Sequence, residues 1–325
     1  MKIAVAAAVA AIGAAAGYTQ LEKFSQSPTT GRLVETTTSS ASAQASAKAK
    51  VSIAKGTSAT SKLKLVEKAL EPFGGIEKLV PQGSSVLVKP NVAFYDKEAS
   101  TDPEILANIV ALVKKTNPKR IVVGESSVRG ADTWHAFQVS GVGKAAESAG
   151  AEVKDLRKDQ AISIDLPKGV AIRKVDVWKT ARDSTFLICV PRLKRHASTT
   201  LTVSLKNMMG IITDGEKGRF HATNLDQSIA DLNTEVKPNL VIVDATQIMT
   251  ERGPTGGKMV DLNTVIASTD PVAADLISAK KLFEVEGAQD SAASAQNVAH
   301  IKKAGQLGVG VGDFTNIEVI ENVVV

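Results

Sequence analysis

The chain has 325 residues, of which 43% are hydrophobic, 4% aromatic and 22% charged, a composition typical of a soluble protein with a packed core. The formal net charge is +5, but the 39 Lys and Arg residues are interspersed with 34 Asp and Glu residues, which argues against a nucleic-acid-binding protein. The single cysteine, Cys189, excludes an intrachain disulfide, a cysteine-ligated iron–sulfur cluster and a cysteine-based zinc site within this chain.

The first residues have the pattern of a signal peptide. Lys2 precedes an uncharged run of Ala, Val, Ile and Gly over residues 3–17, with Ala14–Ala16 as a small-residue cleavage site. This run is shorter than the roughly 20 apolar residues of a membrane span. We expect residues 1–17 to direct export to the periplasm or the cell exterior or, if uncleaved, to tether the chain to the membrane. An Ala-rich helix of a cytoplasmic protein is the remaining alternative.

Residues 18–50 have the composition of a flexible tether. They are rich in Ser, Thr and Ala, as in TTTSSASAQASAKAK at 36–50, and such a segment buries too little apolar surface to offset its ordering entropy. The folded body is therefore expected at residues 51–325, either as one α/β domain or as subdomains at 51–160 and 161–325.

The folded body alternates short apolar strands with helices. The predicted strands are 51–55, 85–88, 120–124, 151–153, 186–190, 240–243, 264–267 and 316–325. The predicted helices are 61–70, 103–115, 133–148, 224–232, 272–283 and 292–304. Two of these helices follow an Asp-Pro pair, in which Asp102 or Asp270 would be the N-cap.

This alternation predicts an α/β fold, in which a mostly parallel sheet carries helices on both faces. Residues 162–180 depart from it. They contain the strictly alternating VAIRKVDVW, which indicates an inserted antiparallel β-hairpin.

Polar residues follow five of the predicted strands. They are Lys89 and Asn91, Glu125 and Ser126, Lys194 and His196, Asp244, and Asp270. Because the carboxyl ends of parallel strands meet at one edge of a sheet, we expect this set to line one crevice, where open α/β folds bind ligands. Taken singly, each residue is better explained as a solvated strand end or a helix cap, and Asp270 in particular as an N-cap, so the argument depends on the set.

The most informative stretch is PRLKRHASTTLTVSLKNMMG at residues 191–210, directly after the apolar FLICV. Lys194 and His196 are two residues apart and face the same side of an extended chain. Such a pair can hold a carboxylate or phosphate while the imidazole moves a proton. The surrounding cations should lower the pKa of His196 and keep it neutral. The alternative is surface charge on a loop.

Three further features of the sequence bear on the site. Lys206 stands in the apolar VSLKNMMG and is expected to be partly buried, where a lysine needs a partner or a function. Cys189 lies inside an apolar run and should be a buried thiol, with a nucleophile as the alternative. The glycine-rich TERGPTGG at 250–257 lacks the spacing of a phosphate-binding loop. It is either a mobile surface loop or a lid, and as a lid it would offer Glu251 as an acid or metal ligand.

Several segments together resemble the bacterial and archaeal family known as domain of unknown function 362. They are VLVKPNV at 86–92, TDPEILANIVALVKK at 101–115, RIVVGESS at 120–127, CVPRLKRHASTTLTVSLKNMMG at 189–210, GRFHATNLDQSIADL at 218–232, LVIVDATQIMTERGPTGG at 240–257 and IASTDPVAAD at 266–275. The resemblance implies a shared site at the Lys-x-His and Lys-Asn block. Some relatives carry a ferredoxin-like cluster module, which this chain lacks. Relatives often have Thr where this chain has Arg195, so its local field is more positive.

These observations lead to one functional hypothesis and one alternative. The chain is expected to be an enzyme that acts on a small anionic substrate, a carboxylate or a phosphate. The expected catalytic residues are His196, Lys206 and His221. The expected substrate-binding residues are Lys89, Asn91, Ser126, Lys194 and Asn207. Asp244, Glu251 and Asp270 could hold a divalent cation, Mg²⁺ or Ca²⁺, through oxygen ligands. The alternative is a non-catalytic extracytoplasmic protein that binds an anion or a cofactor.

Overall fold

The computed structural model describes residues 48–325. The signal-like segment at 1–17 and all but the last residues of the tether at 18–50 lie outside the described residues, so export and tethering stay predictions. The first strand already begins at Ala49. No helix within 48–325 has the length and apolar character needed to cross a membrane.

A mixed sheet of ten strands runs through the described part of the chain, and a two-stranded sheet lies beside it. The strands are β1 (Ala49–Lys55), β2 (Ser85–Pro90), β3 (Arg120–Glu125), β4 (Glu152–Asp155), β5 (Ala161–Asp165), β6 (Lys174–Trp178), β7 (Phe186–Val190), β8 (Arg192–His196), β9 (Thr200–Thr202), β10 (Leu240–Thr250), β11 (Lys258–Ser268) and β12 (Ile317–Val323).

The order of the main sheet is β12-β1-β11-β10-β7-β2-β3-β4, with β8 paired to β10 and β9. All neighbours from β10 to β4 are parallel, whereas β11 is antiparallel to both β1 and β10. The predicted α/β fold with a mostly parallel sheet is thus confirmed. The predicted hairpin is confirmed as well, since β5 and β6 pair antiparallel from Ala161 with Trp178 to Asp165 with Lys174.

Twelve α-helices connect these strands within residues 48–325. They are α1 (Lys62–Leu70), α2 (Ile76–Leu79), α3 (Pro103–Lys114), α4 (Thr133–Ser140), α5 (Val142–Ala149), α6 (Lys179–Asp183), α7 (Ser204–Asn207), α8 (Asp214–Thr223), α9 (Leu225–Leu232), α10 (Pro271–Val285), α11 (Ser291–Gln296) and α12 (Ala299–Gln306).

Helices cover both faces of the sheet and enclose two apolar cores. Alternate residues of β2 point to opposite cores, Val86 and Val88 to one and Leu87 to the other. Helices α1, α3, α4 and α5 pack over the first core, and α7, α9, α10 and α12 over the second. Because both faces are buried, the central strands consist of continuous apolar runs. The main sheet takes strands from both 51–160 and 161–325, and β5 and β6 form the separate two-stranded sheet.

The Asp-Pro pairs start helices as predicted. The Asp102 carboxylate accepts hydrogen bonds from two backbone N–H groups of the first turn of α3, and Asp270 does the same for α10. The single helix predicted at 133–148 is two helices, because Gly141 takes a φ of +75° between α4 and α5. The helix predicted at 292–304 likewise divides into α11 and α12.

Strand β8 holds the cations Arg192, Lys194 and Arg195 beside the carboxyl end of the parallel strands. It follows β7 directly and pairs with the distal half of β10, where Asp244 lies opposite Arg192 and Met249 opposite Lys194. Both β10 and β11 are longer than predicted, because they continue as an antiparallel pair beyond the parallel sheet. The glycine-rich segment is the loop that joins them.

Candidate functional site

A cavity of about 470 Å³ lies beyond the carboxyl ends of β2 and β3. Its walls come from the segments after these strands and from β8, α7 and α8. We call it the strand-end cavity. The predicted site residues that line it are Asn91, Ser126, Lys194, His196, Lys206, Asn207 and His221. The sheet order therefore brings together seven of the eight residues predicted to bind or convert a substrate.

Lys89 is the eighth, and it lies beneath the cavity floor. Its Nζ donates to Glu125 Oε2 at 2.6 Å and to the Pro90 carbonyl at 2.7 Å. Neither side chain of the Lys89–Glu125 pair is appreciably exposed. A cation that is buried and paired in this way cannot also neutralise a substrate. Lys89 was predicted from the sequence to bind the substrate, but its amino group is already held by Glu125 and the Pro90 carbonyl below the cavity.

Two asparagines connect this buried pair to the cavity. The Asn91 side chain donates from Nδ2 to Asn207 Oδ1 at 2.9 Å. Asn207 donates in turn to the Pro90 carbonyl at 3.2 Å and to Cys189 Sγ at 3.3 Å. Burial raises the pKa of the Cys189 thiol to about 12, so it is a protonated core group and not a nucleophile. Within residues 48–325, the buried Asn91 Oδ1 has no hydrogen-bond partner and is an acceptor at the cavity wall.

The hydrogen-bonding capacity of the Ser126 hydroxyl is already used by other groups of the protein. Its hydroxyl accepts from Trp178 Nε1 at 3.1 Å and from Lys217 Nζ at 2.8 Å, and donates to the Gly210 carbonyl at 3.0 Å. Three partners account for the donor and the two lone pairs of a hydroxyl. Ser126 lines the cavity but orients other residues.

Lys194 is buried on β8. Its Nζ donates to the Ala99 carbonyl at 2.6 Å and lies 5.9 Å from the centre of the Phe94 ring. Burial, with the positive charges of Lys206 and Arg192, lowers the pKa of Lys194 to about 7. Its ammonium group has three protons, so the donors that are not used by Ala99 remain for a ligand.

His196 lies two residues further along the same face. Its Nδ1 accepts the backbone N–H of Ser198 at 3.1 Å, which leaves the proton of the neutral ring on Nε2. Burial, together with the charges of Lys206 and Lys194, lowers the pKa of His196 to about 3. The ring is neutral, as the sequence predicted, but so low a pKa makes it a weak base and a better hydrogen-bond donor through Nε2.

Lys206 differs from the other lysines of the site. It lines the cavity from α7, and its Nζ has no hydrogen-bond or ion-pair partner in the described part of the chain. Burial, with the positive charges of Lys217 and Lys89, lowers the pKa of Lys206 to about 8. His221 stands at the exposed rim on α8, where burial and the charges of Lys206 and Arg129 lower its pKa.

Sequence reasoning missed Lys217 because it missed α8. Lys217 Nζ donates to the carbonyls of Ser126 and Ser127 at 2.8 and 2.7 Å. Burial lowers its pKa to about 8. The sequence does hold a signal for this helix, since Thr213 and Glu216 have the spacing of a capping box, and the Thr213 hydroxyl accepts the Glu216 N–H.

The charges around the cavity are predominantly positive. Lys194, Lys206, Lys217 and Arg129 line it, and Glu125 is the one carboxylate among the described lining residues. Glu125 is held by Lys89 and also accepts the backbone N–H groups of Val92 and Ser126. Because its charge is balanced locally, the field inside the cavity favours an anion.

The three carboxylates considered as metal ligands do not meet. Asp244 is buried against Arg192 at 2.7 Å, and Asp270 is occupied as the N-cap of α10. Glu251 is exposed, and its Oε1 lies 3.6 Å from the Nζ of Lys258. Over residues 48–325, no group of three or more His, Cys, Asp or Glu side chains is arranged to hold a metal ion. Their separation corrects the expectation of one shared cation site, because each carboxylate has a cation or backbone donor of its own.

The glycine-rich loop forms part of the cavity wall. Pro254 lines the cavity, and Gly253 packs so tightly on β8 that a Cβ there would lie 1.9 Å from the Arg195 carbonyl oxygen. The Gly253 carbonyl also accepts the Ala197 N–H at 3.2 Å. Arg195 itself points away from the cavity and pairs with Glu286, as alternation along a strand requires.

Known proteins resemble this chain in sequence and in fold. The family model described as "Domain of unknown function (DUF362)" matches residues 86–280. The thylakoid-associated protein sll1697 of Synechocystis is 26% identical over 229 residues, which cover 67% of this chain and 69% of that protein.

Two solved structures can be superposed on part of this chain. The lactate racemase apoprotein from Thermoanaerobacterium thermosaccharolyticum has a TM-score of 0.42 at 15% identity, over 70% of this chain and 55% of that one. A protein from Thermotoga maritima has a TM-score of 0.42 at 10% identity, over 69% of this chain and 59% of that one. The chain thus spans little more than half the length of these two structures.

Proposed function

The chain belongs to the DUF362 family, and from this premise we propose that it is an enzyme that binds a small anionic substrate, a carboxylate or a phosphate, in the strand-end cavity. One observation carries the proposal. Lys206 lines a cavity rich in cations, and its Nζ has no partner among residues 48–325. Lys206 is half-buried among other cations, and a ligand that supplies the opposite charge would stabilise it there.

The donors for such a substrate come from three side chains. Lys206 offers its whole ammonium group, Lys194 the protons left after its bond to Ala99, and His196 its Nε2–H. Hydrogen bonds from charged nitrogen to a carboxylate or phosphate oxygen are among the strongest in proteins. The Asn91 Oδ1, which lacks a partner in the described residues, would accept a hydroxyl or amino proton of the same substrate.

The acid–base properties of the lysines support catalysis in addition to binding. The pKa values of Lys194 and Lys206 are lowered to about 7 and about 8, which lie close to neutral pH. A group whose pKa lies near the working pH transfers protons most efficiently, and strongly shifted pKa values in a cleft are typical of active sites. In this proposal Lys206 takes the role of base or acid, while His196 orients the substrate.

The alternative is a binding protein without turnover. The state of His196 favours it, because an imidazole with a pKa of about 3 whose Nδ1 is occupied by Ser198 holds a ligand but moves no proton. The two functions differ in whether the wild type and His196→Gln convert an anion that they bind. In a catalyst with Lys206 as base, turnover survives at a reduced level. In a binding protein, no carboxylate or phosphate that binds is converted by either form.

The proposal is tested by thermal unfolding of the full chain with inorganic phosphate and a panel of short carboxylates. A ligand that binds only the native state raises the free energy of unfolding, by about 2.7 kcal/mol when its concentration is a hundredfold above Kd, and the unfolding midpoint rises with it. We expect such a shift in the wild type and in Lys258→Met, whose lysine is exposed outside the cavity, but not in Lys206→Met. Equal shifts in all three proteins, or no shift with any anion, would contradict an anion site at Lys206.

A further inference from the structure

We infer that Lys206 is the nucleophile of the strand-end cavity and forms an imine with a 2-oxo acid, a molecule that joins a carbonyl group to the carboxylate that the surrounding cations bind. This inference rests on the proposed function, since it assumes that the cavity binds an anion. It names the class of substrate and assigns a covalent step to one amine.

The four lysines of the site differ in what holds their amino groups. Lys89, Lys194 and Lys217 each donate to at least one protein oxygen at 2.6 to 2.8 Å. Lys206 Nζ donates to none within residues 48–325, although it lines the cavity. Among these four lysines, Lys206 is therefore the one whose amine no protein oxygen of residues 48–325 tethers, and it has the greatest freedom to move towards a substrate carbon.

The backbone on either side of Lys206 is fixed, so the freedom lies in its side chain. The buried Asp275 carboxylate accepts the backbone N–H groups of Ser204 and Leu205 at 2.9 and 3.0 Å, and the Ser204 hydroxyl at 2.5 Å. On the other side, Asn207 is held by the Pro90 carbonyl. A nucleophile on a rigid support loses little entropy when it meets the bound substrate.

An amine attacks a carbonyl only in its neutral form, and the environment of Lys206 supplies that form. Its pKa is lowered to about 8, so roughly a tenth of the molecules carry a neutral amine at pH 7. Desolvation and a second nearby cation are the usual ways in which proteins activate a lysine for imine formation. The titratable and charged groups around it come from β2, β3, β8 and four helices or loops. They are Lys89, Glu125, Lys194, His196, Lys217, His221, Arg129, Asp226 and His300.

The reaction balances without an oxidant or a reductant. The lone pair of Lys206 Nζ forms a bond to the carbonyl carbon, and the carbonyl π electrons move to oxygen. A proton passes from nitrogen to that oxygen and gives a carbinolamine. The carbon–oxygen bond then breaks, the hydroxyl takes up a second proton and leaves as water, and a protonated imine remains.

Neighbouring groups are suited to these proton transfers. Lys194, with a pKa of about 7, can donate the proton that the departing hydroxyl takes up. The Asn91 Oδ1, which has no partner in the described residues, can accept the hydroxyl proton of the carbinolamine or the N–H of the protonated imine. His196 can hold the carboxylate of the 2-oxo acid through Nε2–H.

The test is reductive trapping on the full chain. The wild type is incubated with 2-oxobutyrate and sodium cyanoborohydride, which reduces a protonated imine to a stable amine, and the modified lysine is located by peptide mass spectrometry. We expect one dominant adduct on Lys206, formed faster as the pH rises towards about 8. We expect none with 2-hydroxybutyrate, which has the same charge and nearly the same size but no carbonyl. Lys206→Arg should abolish the adduct, and Lys258→Arg should leave it unchanged.

The outcomes separate this inference from the proposed function. If both acids raise the unfolding midpoint in a manner that depends on Lys206 and no adduct forms there, the imine is wrong and the anion site stands. If neither acid shifts the midpoint and adducts spread over exposed lysines, both are wrong. Because the adduct is mapped on the wild type, the result holds even if Lys206→Arg folds poorly.

Discussion

Lys89 Nζ lies 2.6 Å from Glu125 Oε2, and the two side chains are 0% and 2% exposed beneath the strand-end cavity. The pair joins the ends of the neighbouring strands β2 and β3. It also neutralises the one carboxylate among the described residues that line the cavity. The positive character of the site therefore depends on a buried salt bridge whose lysine does not line the cavity.

Breaking this pair should destabilise the fold. Glu125→Gln leaves the Lys89 ammonium buried without a counter-charge, and loss of one partner of a buried ion pair costs about 3–5 kcal/mol. Urea unfolding would measure the difference. The double variant Lys89→Met with Glu125→Gln should be more stable than Glu125→Gln, because it removes the uncompensated charge. A double variant that loses the sum of the two single effects would show that the side chains act independently.

Gly210 should tolerate no side chain. A Cβ at this position would lie 1.9 Å from Glu125 Oε1 and 2.4 Å from Lys89 Cε, so Gly210→Ala should cost about 1–3 kcal/mol through overpacking. Gly215 in α8 is the matched control, because its nearest neighbour would be 3.9 Å away. Gly215→Ala should stabilise the protein by about 0.4–1 kcal/mol. Equal effects of the two substitutions on the unfolding midpoint would refute the close approach at Gly210.

The half-buried position of His196 should make the free energy of unfolding depend on pH in the acid range. Its pKa is about 3 in the folded protein against 6.5 for an unperturbed histidine. Between these values the unfolded chain binds a proton that the folded chain does not, so stability falls as the pH drops through 6.5. His196→Gln keeps an acceptor for the Ser198 N–H and removes this titration. The wild type should therefore lose more stability than His196→Gln between about pH 8 and pH 5; identical losses would show that the ring titrates as in water.

Affinity for a simple carboxylate should fall as the pH rises. Lys194 and Lys206 lose their charge with pKa values of about 7 and about 8, whereas a carboxylate stays ionised throughout this range. Titration calorimetry with 2-hydroxybutyrate should show weaker binding at about pH 9 than at about pH 6, by roughly tenfold for each cation lost. The trend is opposite to that of imine trapping, which needs the neutral amine. An affinity that does not change with pH would exclude these lysines as the anion-binding groups.

The glycine-rich loop should matter for binding more than for folding. Gly253→Ala would bring a Cβ to 1.9 Å from the Arg195 carbonyl oxygen, so the loop must move away from β8 and take Pro254 out of the cavity wall. We expect a several-fold loss of carboxylate affinity in Gly253→Ala and no loss in Thr255→Ala, which alters a neighbouring exposed side chain. Unchanged affinity in Gly253→Ala would show that the loop is not part of the site.

Much of the fold was predictable because its signals are local. Apolar runs indicated the central strands, strict alternation indicated β5 and β6, and Asp102 and Asp270 marked the starts of helices. The errors arose where local and tertiary signals differ. Helix α8 carries no clear apolar stripe. The outer halves of β10 and β11 lie beyond the short apolar runs LVIV and TVIA, where they pair with each other and β10 also pairs with β8.

The sequence by itself predicted part of the cavity lining, because Asp244 and Asp270 of the predicted strand-end set do not line it. Strand-end positions place Asn91, Lys194 and His196 around one cavity, since parallel strands share a direction and alternate residues share a face. It could not determine which charges are already paired. That depends on strand order, because β3 lies beside β2 and commits Lys89 to Glu125, while β10 lies beside β8 and commits Asp244 to Arg192. Only the tertiary structure therefore distinguishes Lys206, whose amine has no partner in residues 48–325, from the lysines that hold the site together.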